Sequence, residues 1–220
     1  MPKTFIIIFG PPGSGKGTQA GMLAAKTGWK KISTGDLFRA EIAAETKLGK
    51  SAGRYIKAGK LVPDKLTFGL VEKSIKQKAV GFIFDGFPRN KKQLAELRTM
   101  LNKVMKKNDK LYALDIAVSD QEVKQRLSRR RMCACGKVYH LVYNAPINQG
   151  VCDMCGGKLF VRNDDQPKVI VHRLKVYHHD GEPLLDYFDK QGKLIKINGE
   201  QAIKKIYEEV MGKVKELSLL

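Results

Sequence analysis

The chain has 220 residues, 43% hydrophobic and 29% charged, the proportions expected of a soluble globular protein with one main domain. Its 41 lysines and arginines outweigh 22 aspartates and glutamates, and a formal net charge of +19 points either to an anionic partner or to a lysine-rich solvated surface. No apolar run reaches ~18 residues, which excludes a membrane-spanning helix, and MPKTFIIIFG runs straight into a strand pattern with no room for a secretory leader.

TFIIIFG (4–10) is a continuous apolar run and predicts a buried parallel strand. A glycine-rich turn follows, then KGTQAGMLAAKTG predicts a helix that stops at Gly28. WKKISTGDLFRAEIAAET (29–46) predicts a second strand and a helix capped by Ser33 or Thr34. Residues 48–77 predict two helices split around Pro63. GFIFDGFPRN predicts a third strand ending at Asp85, and KKQLAELRTMLNKVMKK a helix. LYALDIAVS predicts a fourth strand, and DQEVKQRLSRRR (120–131) a helix that leads into a cysteine-rich segment. KVIVHRLKVYHHDGEPLLDYFDK (168–190) predicts a helix interrupted at Gly181–Pro183. KLIKING predicts a fifth strand, and QAIKKIYEEVMGKVKEL (201–217) a closing helix. Strands alternating with helices indicate an α/β protein whose parallel sheet is covered on both faces, with ligands at the carboxyl ends of the strands.

The first such end carries GPPGSGKGT. Gly13 and Gly15 allow several backbone N–H groups to turn toward one anion. The helix dipole adds to this, and Lys16 supplies a mobile charge for outer phosphates. The general phosphate-loop pattern has a magnesium-binding hydroxyl directly after the lysine. Here that position is Gly17, and the hydroxyl comes one residue later, at Thr18.

GPPGSGKGTQA, ISTGDLFRAE, GKLVPD, FDGFPRN, QRLSRRR, KVYHLVYNAP and VRNDDQPKVIVHRL follow one another in this order. Together they resemble the signatures of adenylate kinases, over nearly the whole chain, and glycine before threonine is normal in that family. The resemblance implies a P-loop NTPase-type parallel five-stranded sheet covered by helices. A core of residues 1–32, 63–131 and 167–220 would carry an inserted acceptor-binding helical segment, 33–62, and a small lid, 132–166. The implied reaction is Mg-ATP + AMP to two ADP, reversibly, with Mg2+ travelling with ATP.

By the same resemblance, ATP would lie against Gly13, Ser14, Gly15, Lys16, Gly17, Thr18, Arg126, Arg130, Val138, Tyr139 and Gln201. AMP would meet Thr34, Arg39, Lys60, Leu61, Val62, Gly86, Phe87, Pro88, Arg89 and Gln93, with Arg162 and Arg173 reaching its phosphate side. Arg39 and Arg89 would hold the AMP phosphate, and Arg130, Arg162 and Arg173 the transferring group. Transfer between two polyanions depends on positioning and charge neutralisation, so converging arginines are what the chemistry requires. Lys16, Asp85, Arg89, Arg130, Arg162 and Arg173 are the expected catalytic set. Asp85, at a strand end beside the loop, has the place of an acid that orders magnesium's water shell; a turn or cap role is the alternative. Thr34 and Gln93 are expected to read the acceptor base, since an amide offers both a donor and an acceptor. Asp164 and Asp165 are expected to orient the lid arginines, and one of the arginines at 129–131 to be merely solvated.

All four cysteines fall between Cys133 and Cys155, which favours a local metal site. Cys152 and Cys155 have C-x-x-C spacing, whereas Cys133 and Cys135 stand one residue closer, a departure from the zinc-bearing members of the family. Four thiolates would close the shell of a structural Zn2+ that stiffens the lid. Three cysteines with His140 or Asp153, a disulfide, or no metal remain open. Three other functions compete: a UMP/CMP kinase of the same fold, a nucleic-acid-binding zinc-ribbon protein, which leaves the phosphate loop and FDGFPRN unexplained, and a nucleotide-dependent switch or ATPase, against which the missing hydroxyl and the acceptor-binding segment argue. A cytoplasmic monomer that takes ATP, AMP and ADP, with no membrane and no nucleic-acid partner, is expected.

Overall fold

The computed structural model describes residues 2–220. In chain order the strands are β1 (Thr4–Phe9), β2 (Lys30–Ser33), β3 (Gly81–Asp85), β4 (Lys110–Ala117), β5 (Arg130–Cys133), β6 (Val138–His140), β7 (Leu159–Phe160) and β8 (Leu194–Asn198). The helices are α1 (Lys16–Thr27), α2 (Thr34–Ala43), α3 (Lys47–Lys57), α4 (Asp64–Ile75), α5 (Lys91–Val104), α6 (Asp120–Ser128), α7 (Pro167–Val176), α8 (Pro183–Asp189) and α9 (Ile203–Glu216). Five strands form a parallel sheet of order β2-β3-β1-β4-β8, and the other three a small sheet of order β6-β5-β7.

The run TFIIIF is apolar at every position because both faces of the sheet are covered. Phe5, Ile7 and Phe9 join Phe82, Phe84, Leu97 and Phe188 on the side of α5 and α8. Ile6 and Ile8 join Ile83, Leu114, Leu23 and Val210 on the side of α1 and α9. Each such buried side chain stabilises the fold by about 1.5–3 kcal/mol. Register then gathers the functional ends: Ile8 pairs with Asp85, Ser33 with Asp85, and Phe9 with Asp115. The loop after β1 therefore opens beside the carboxyl ends of β3 and β4.

Three sequence expectations change. The helix expected over 120–131 stops at Ser128, because Arg130–Met132 pair antiparallel with Val138–His140 and bury Met132 against Tyr139's strand. The small sheet thus begins two residues before the expected lid boundary. The interruption at Gly181 is a single π-helical turn, Tyr177–Gly181, closed by Glu182 N–H donating to the Tyr177 carbonyl at 2.9 Å, so the helix bulges without breaking. The last helix starts at Ile203, which leaves Gln201 in the preceding loop. Of the two candidate caps of α2, Ser33 accepts the Asp36 N–H at 3.3 Å. Thr34 instead donates to the Gly86 carbonyl at 2.9 Å. Among the described residues no helix is long and apolar enough to cross a membrane.

Candidate active site

A cleft of about 740 Å³ runs from the β1–α1 loop, past β3, to the small sheet. At its floor, Ser14 N–H donates to the Pro11 carbonyl at 3.1 Å, and the Thr18 and Gln19 N–H groups donate to Gly15. The first N–H groups of α1, those of Lys16 and Gly17, have no acceptor within the helix, and no side chain caps it. Gly15 makes that open end possible: it sits at φ 91°, where a side chain would be strained. The Lys16 and Gly17 N–H groups are thus left open at a positive helix end, which suits a phosphate.

The Lys16 side chain folds back along the loop, with Nζ donating to the Pro11 carbonyl at 2.9 Å. Burial lowers its pKa to about 7; Asp85 opposes the shift, while Arg89, Arg173 and Arg130 add to it. An ammonium so depressed lacks a partner of sufficient negative charge, which a bound polyphosphate would supply. The missing hydroxyl at Gly17 has a steric reason here. A Cβ at that position would stand 3.2 Å from Asp85 Oδ2, so glycine lets the carboxylate close on the helix start.

Six arginines from separate segments line the same cleft: Arg39, Arg89, Arg126, Arg130, Arg162 and Arg173. Asp164 and Asp165, both buried, hold three of them as the sequence suggested. Arg162 Nε donates to Asp164 at 2.8 Å, and Arg130 Nε to Asp165 at 2.7 Å. Arg173 Nη1 bridges both acids at 3.1 Å and also donates to the Asp164 carbonyl at 2.8 Å. Although burial opposes it, Arg173 and Arg162 hold the Asp164 carboxyl down at about 2. Burial lowers Arg173 to about 10. Arg89 Nε donates to the Gly86 carbonyl at 2.6 Å, and Arg39 is paired with Asp36.

On the other side of the loop, Arg126 ties three elements together. It donates to Glu122 at 2.7 Å, to the Ser14 carbonyl at 3.4 Å and to the Gly199 carbonyl at 2.8 Å, and stands 5.8 Å from the Tyr143 ring. Gln201 donates to Asn198 and Glu209 at the same rim. Val138 also lines the cleft. Tyr139 lines it too, but its hydroxyl turns away to Cys152 Sγ and accepts the Asp153 N–H at 2.8 Å.

Thr34, Lys60, Leu61, Val62, Gly86, Pro88 and Gln93 line the same cleft. Phe87 does not: its ring is 1% exposed and packs edge-on to Phe68 in the core. Gln93 is already engaged at both ends of its amide, accepting the Arg89 N–H and donating to Asp64, each at 2.8 Å. Asp64 is a site neighbour to which sequence reasoning gave no role, although it closes the quoted GKLVPD. Asp115 was missed altogether. It lies beside the end of β1, 6% exposed, with Oδ1 unpartnered, and burial followed by Glu182 pushes its carboxyl up to about 6.

The four cysteine sulfurs lie within 4.8 Å of one another. Cys133 and Cys155 are 3.4 Å apart, and Cys135 and Cys152 3.7 Å. A tetrahedron with Zn–S bonds of about 2.3 Å has edges of about 3.8 Å, so the donor set and its spacing suit Zn2+. The short C-x-C pair works because the β5–β6 turn is tight: Cys133 N–H donates to Lys137, and Gly136 N–H returns to Cys133, both at 2.9 Å. His140 and Asp153 stay out of the cluster. His140 Nδ1 accepts the Val142 and Tyr143 N–H groups, and Asp153 accepts that of Ile147. For Mg2+, the hard oxygens of Asp85 and of the Thr18 hydroxyl, both lining the cleft, are donors of suitable chemistry.

The family model described as adenylate kinase matches residues 8–193. Curated relatives bearing that description align over almost the full length. One from Methanothrix thermoacetophila is 44% identical over 207 residues, 93% of this chain and 95% of its own. One from Agathobacter rectalis is 44% identical over 210 residues, 94% and 97% of the two chains. One from Methanosarcina barkeri is 41% identical over 215 residues, 97% and 99%.

Proposed function

The chain belongs to the adenylate kinase family, and from that premise we propose that it moves the terminal phosphoryl group of Mg-ATP in line onto AMP beneath a zinc-stiffened lid. The observation that carries the reading is one cleft lined by the glycine-rich loop and Lys16 together with Arg39, Arg89, Arg126, Arg130, Arg162 and Arg173, cations enough for two polyanions. Arg130, Arg162 and Arg173 come from β5, the segment before α7, and α7 itself, and meet on one pair of acids.

Each group has a defined task. The open N–H groups at the start of α1 and Lys16 hold the donor's outer phosphates, and Arg89 with Arg39 fixes the acceptor phosphate. Arg130, Arg162 and Arg173 neutralise charge on the equatorial oxygens during transfer, pre-oriented by Asp164 and Asp165 so that little reorganisation is needed. Thr34 and the acceptor-end backbone define the space for the AMP base. Asp85 and Thr18 would hold Mg2+, which would neutralise charge on the donor phosphates. The lid, 132–166, has a core of little more than Cys133, Tyr139, Cys152 and Leu159, too small to hold its shape without a cross-link such as Zn2+. Its closure would exclude water from the transferring group.

The test is a phosphoryl-transfer assay with Mg-ATP and, separately, AMP, CMP, UMP, GMP and water as acceptors. Fast ADP formation with AMP alone is expected. Preference for UMP or CMP would overturn the acceptor assignment and keep the fold and chemistry.

A further inference from the structure

Among the described residues, Asp85 has one salt-bridge partner, Lys31, a residue that no sequence motif marked. Lys31 lies on the edge strand β2. Its register partner is Ile83, and that of Ser33 is Asp85, so Lys31 sits diagonally from Asp85 on the face toward α1. Its Nζ reaches three acceptors: Asp36 Oδ2 at 3.2 Å, the Gly17 carbonyl at 3.4 Å and Asp85 Oδ2 at 3.8 Å. The 3.8 Å contact is too long for a hydrogen bond, so it offsets part of the Asp85 charge, which Lys16 and Arg89 also feel, without locking the carboxylate. The ammonium is thus shared between an acid at the head of α2 and the acid beside the phosphate loop. A second cation arriving at Asp85 would push it toward Asp36.

We infer that Lys31 is a positioning residue: the resting counter-ion of Asp85, competing there with Mg2+ and yielding to Asp36 when the metal binds. This rests on the kinase reading of Asp85. A single and a double positive charge about 6 Å apart in water repel enough to weaken metal binding about tenfold. Removal of Lys31 therefore tightens Mg2+. Removal of Asp36 leaves Lys31 wholly on Asp85 and weakens Mg2+.

The experiment is a calorimetric Mg2+ titration of protein saturated with a non-hydrolysable ATP analogue and no acceptor, so that no turnover contributes. Lys31→Gln is expected to lower the half-saturating Mg2+ about five- to tenfold, and Asp36→Asn to raise it severalfold. The double variant should behave as Lys31→Gln alone. Mere damage to the fold would shift both single variants the same way, and would show as a lowered unfolding midpoint without metal. A midpoint within twofold of wild type in Lys31→Gln, or a shift upward, overturns the inference while leaving the kinase reading intact. A wild-type protein that binds no Mg2+ with the analogue overturns both.

Discussion

Replacing Asp164 by Asn should remove about 2 kcal/mol of stability at neutral pH. The folded protein lowers this carboxyl from an ordinary 3.8 to about 2. At about 1.4 kcal/mol per pKa unit, that difference corresponds to about 2.5 kcal/mol. The site is well buried, with its side chain only 9% exposed, so little of this is lost to solvent screening. Asparagine keeps the shape and one acceptor oxygen but leaves Arg162 and Arg173 short of a charge. The folded-state value lies below the unfolded one, so the contribution is complete above pH ~4 and disappears as pH falls through 2; about half remains at pH 3. Urea unfolding of wild type and Asp164→Asn at pH 8, 7, 5, 4 and 3 measures the gap directly. A constant gap from pH 8 to 5 that narrows below 4 is expected. A gap that is absent at pH 7, or that stays constant to pH 3, refutes the argument that Asp164 acts as an ionised anchor.

Asp115 predicts the opposite sign. Its folded-state carboxyl is raised to about 6, so ionisation costs about 3 kcal/mol above pH 6 and nothing below about 3.8. Asp115→Asn should raise the urea midpoint at pH 7.5 and lose that advantage by pH 4, as parallel unfolding curves would reveal. Lys16, lowered to about 7, should regain its proton when phosphates surround it. At pH 8.5, calorimetry in buffers of differing ionisation enthalpy should detect uptake approaching one proton per bound ATP, and none for Lys16→Met. Elemental analysis should find one zinc per chain. Cys152→Ser should abolish it and expose residues 132–166 to protease while the parallel sheet stays protected; a metal-free, equally resistant lid would contradict the cross-link.

The parts legible in the sequence share one property: local residues decide them. TFIIIF could be read because a strand buried on both faces has no polar positions. GPPGSGK could be read because open N–H groups at a helix start need those glycines. The cysteine cluster was readable in kind, although only the tight β5–β6 turn explains how a C-x-C pair reaches the same centre as Cys152 and Cys155. What was not legible depends on register and topology. Arg130 belongs to a strand because His140 pairs with it, which a helical pattern through 131 conceals. Phe87 stands within FDGFPRN, yet its ring serves the core. Gln93 looks free to read a base, yet Asp64, 29 residues earlier, already holds its amide. Lys31 reaches Asp85 only because β2 pairs with β3 in that register.

In the proposed reaction two polyanions meet in one cleft from which water is kept. Phosphorus NMR of the protein with Mg-ATP and AMP tests it most directly. ATP and AMP should disappear together, two ADP should appear for each pair, and inorganic phosphate should stay at the uncatalysed level. ADP and inorganic phosphate in equal amounts, with AMP untouched, would contradict it.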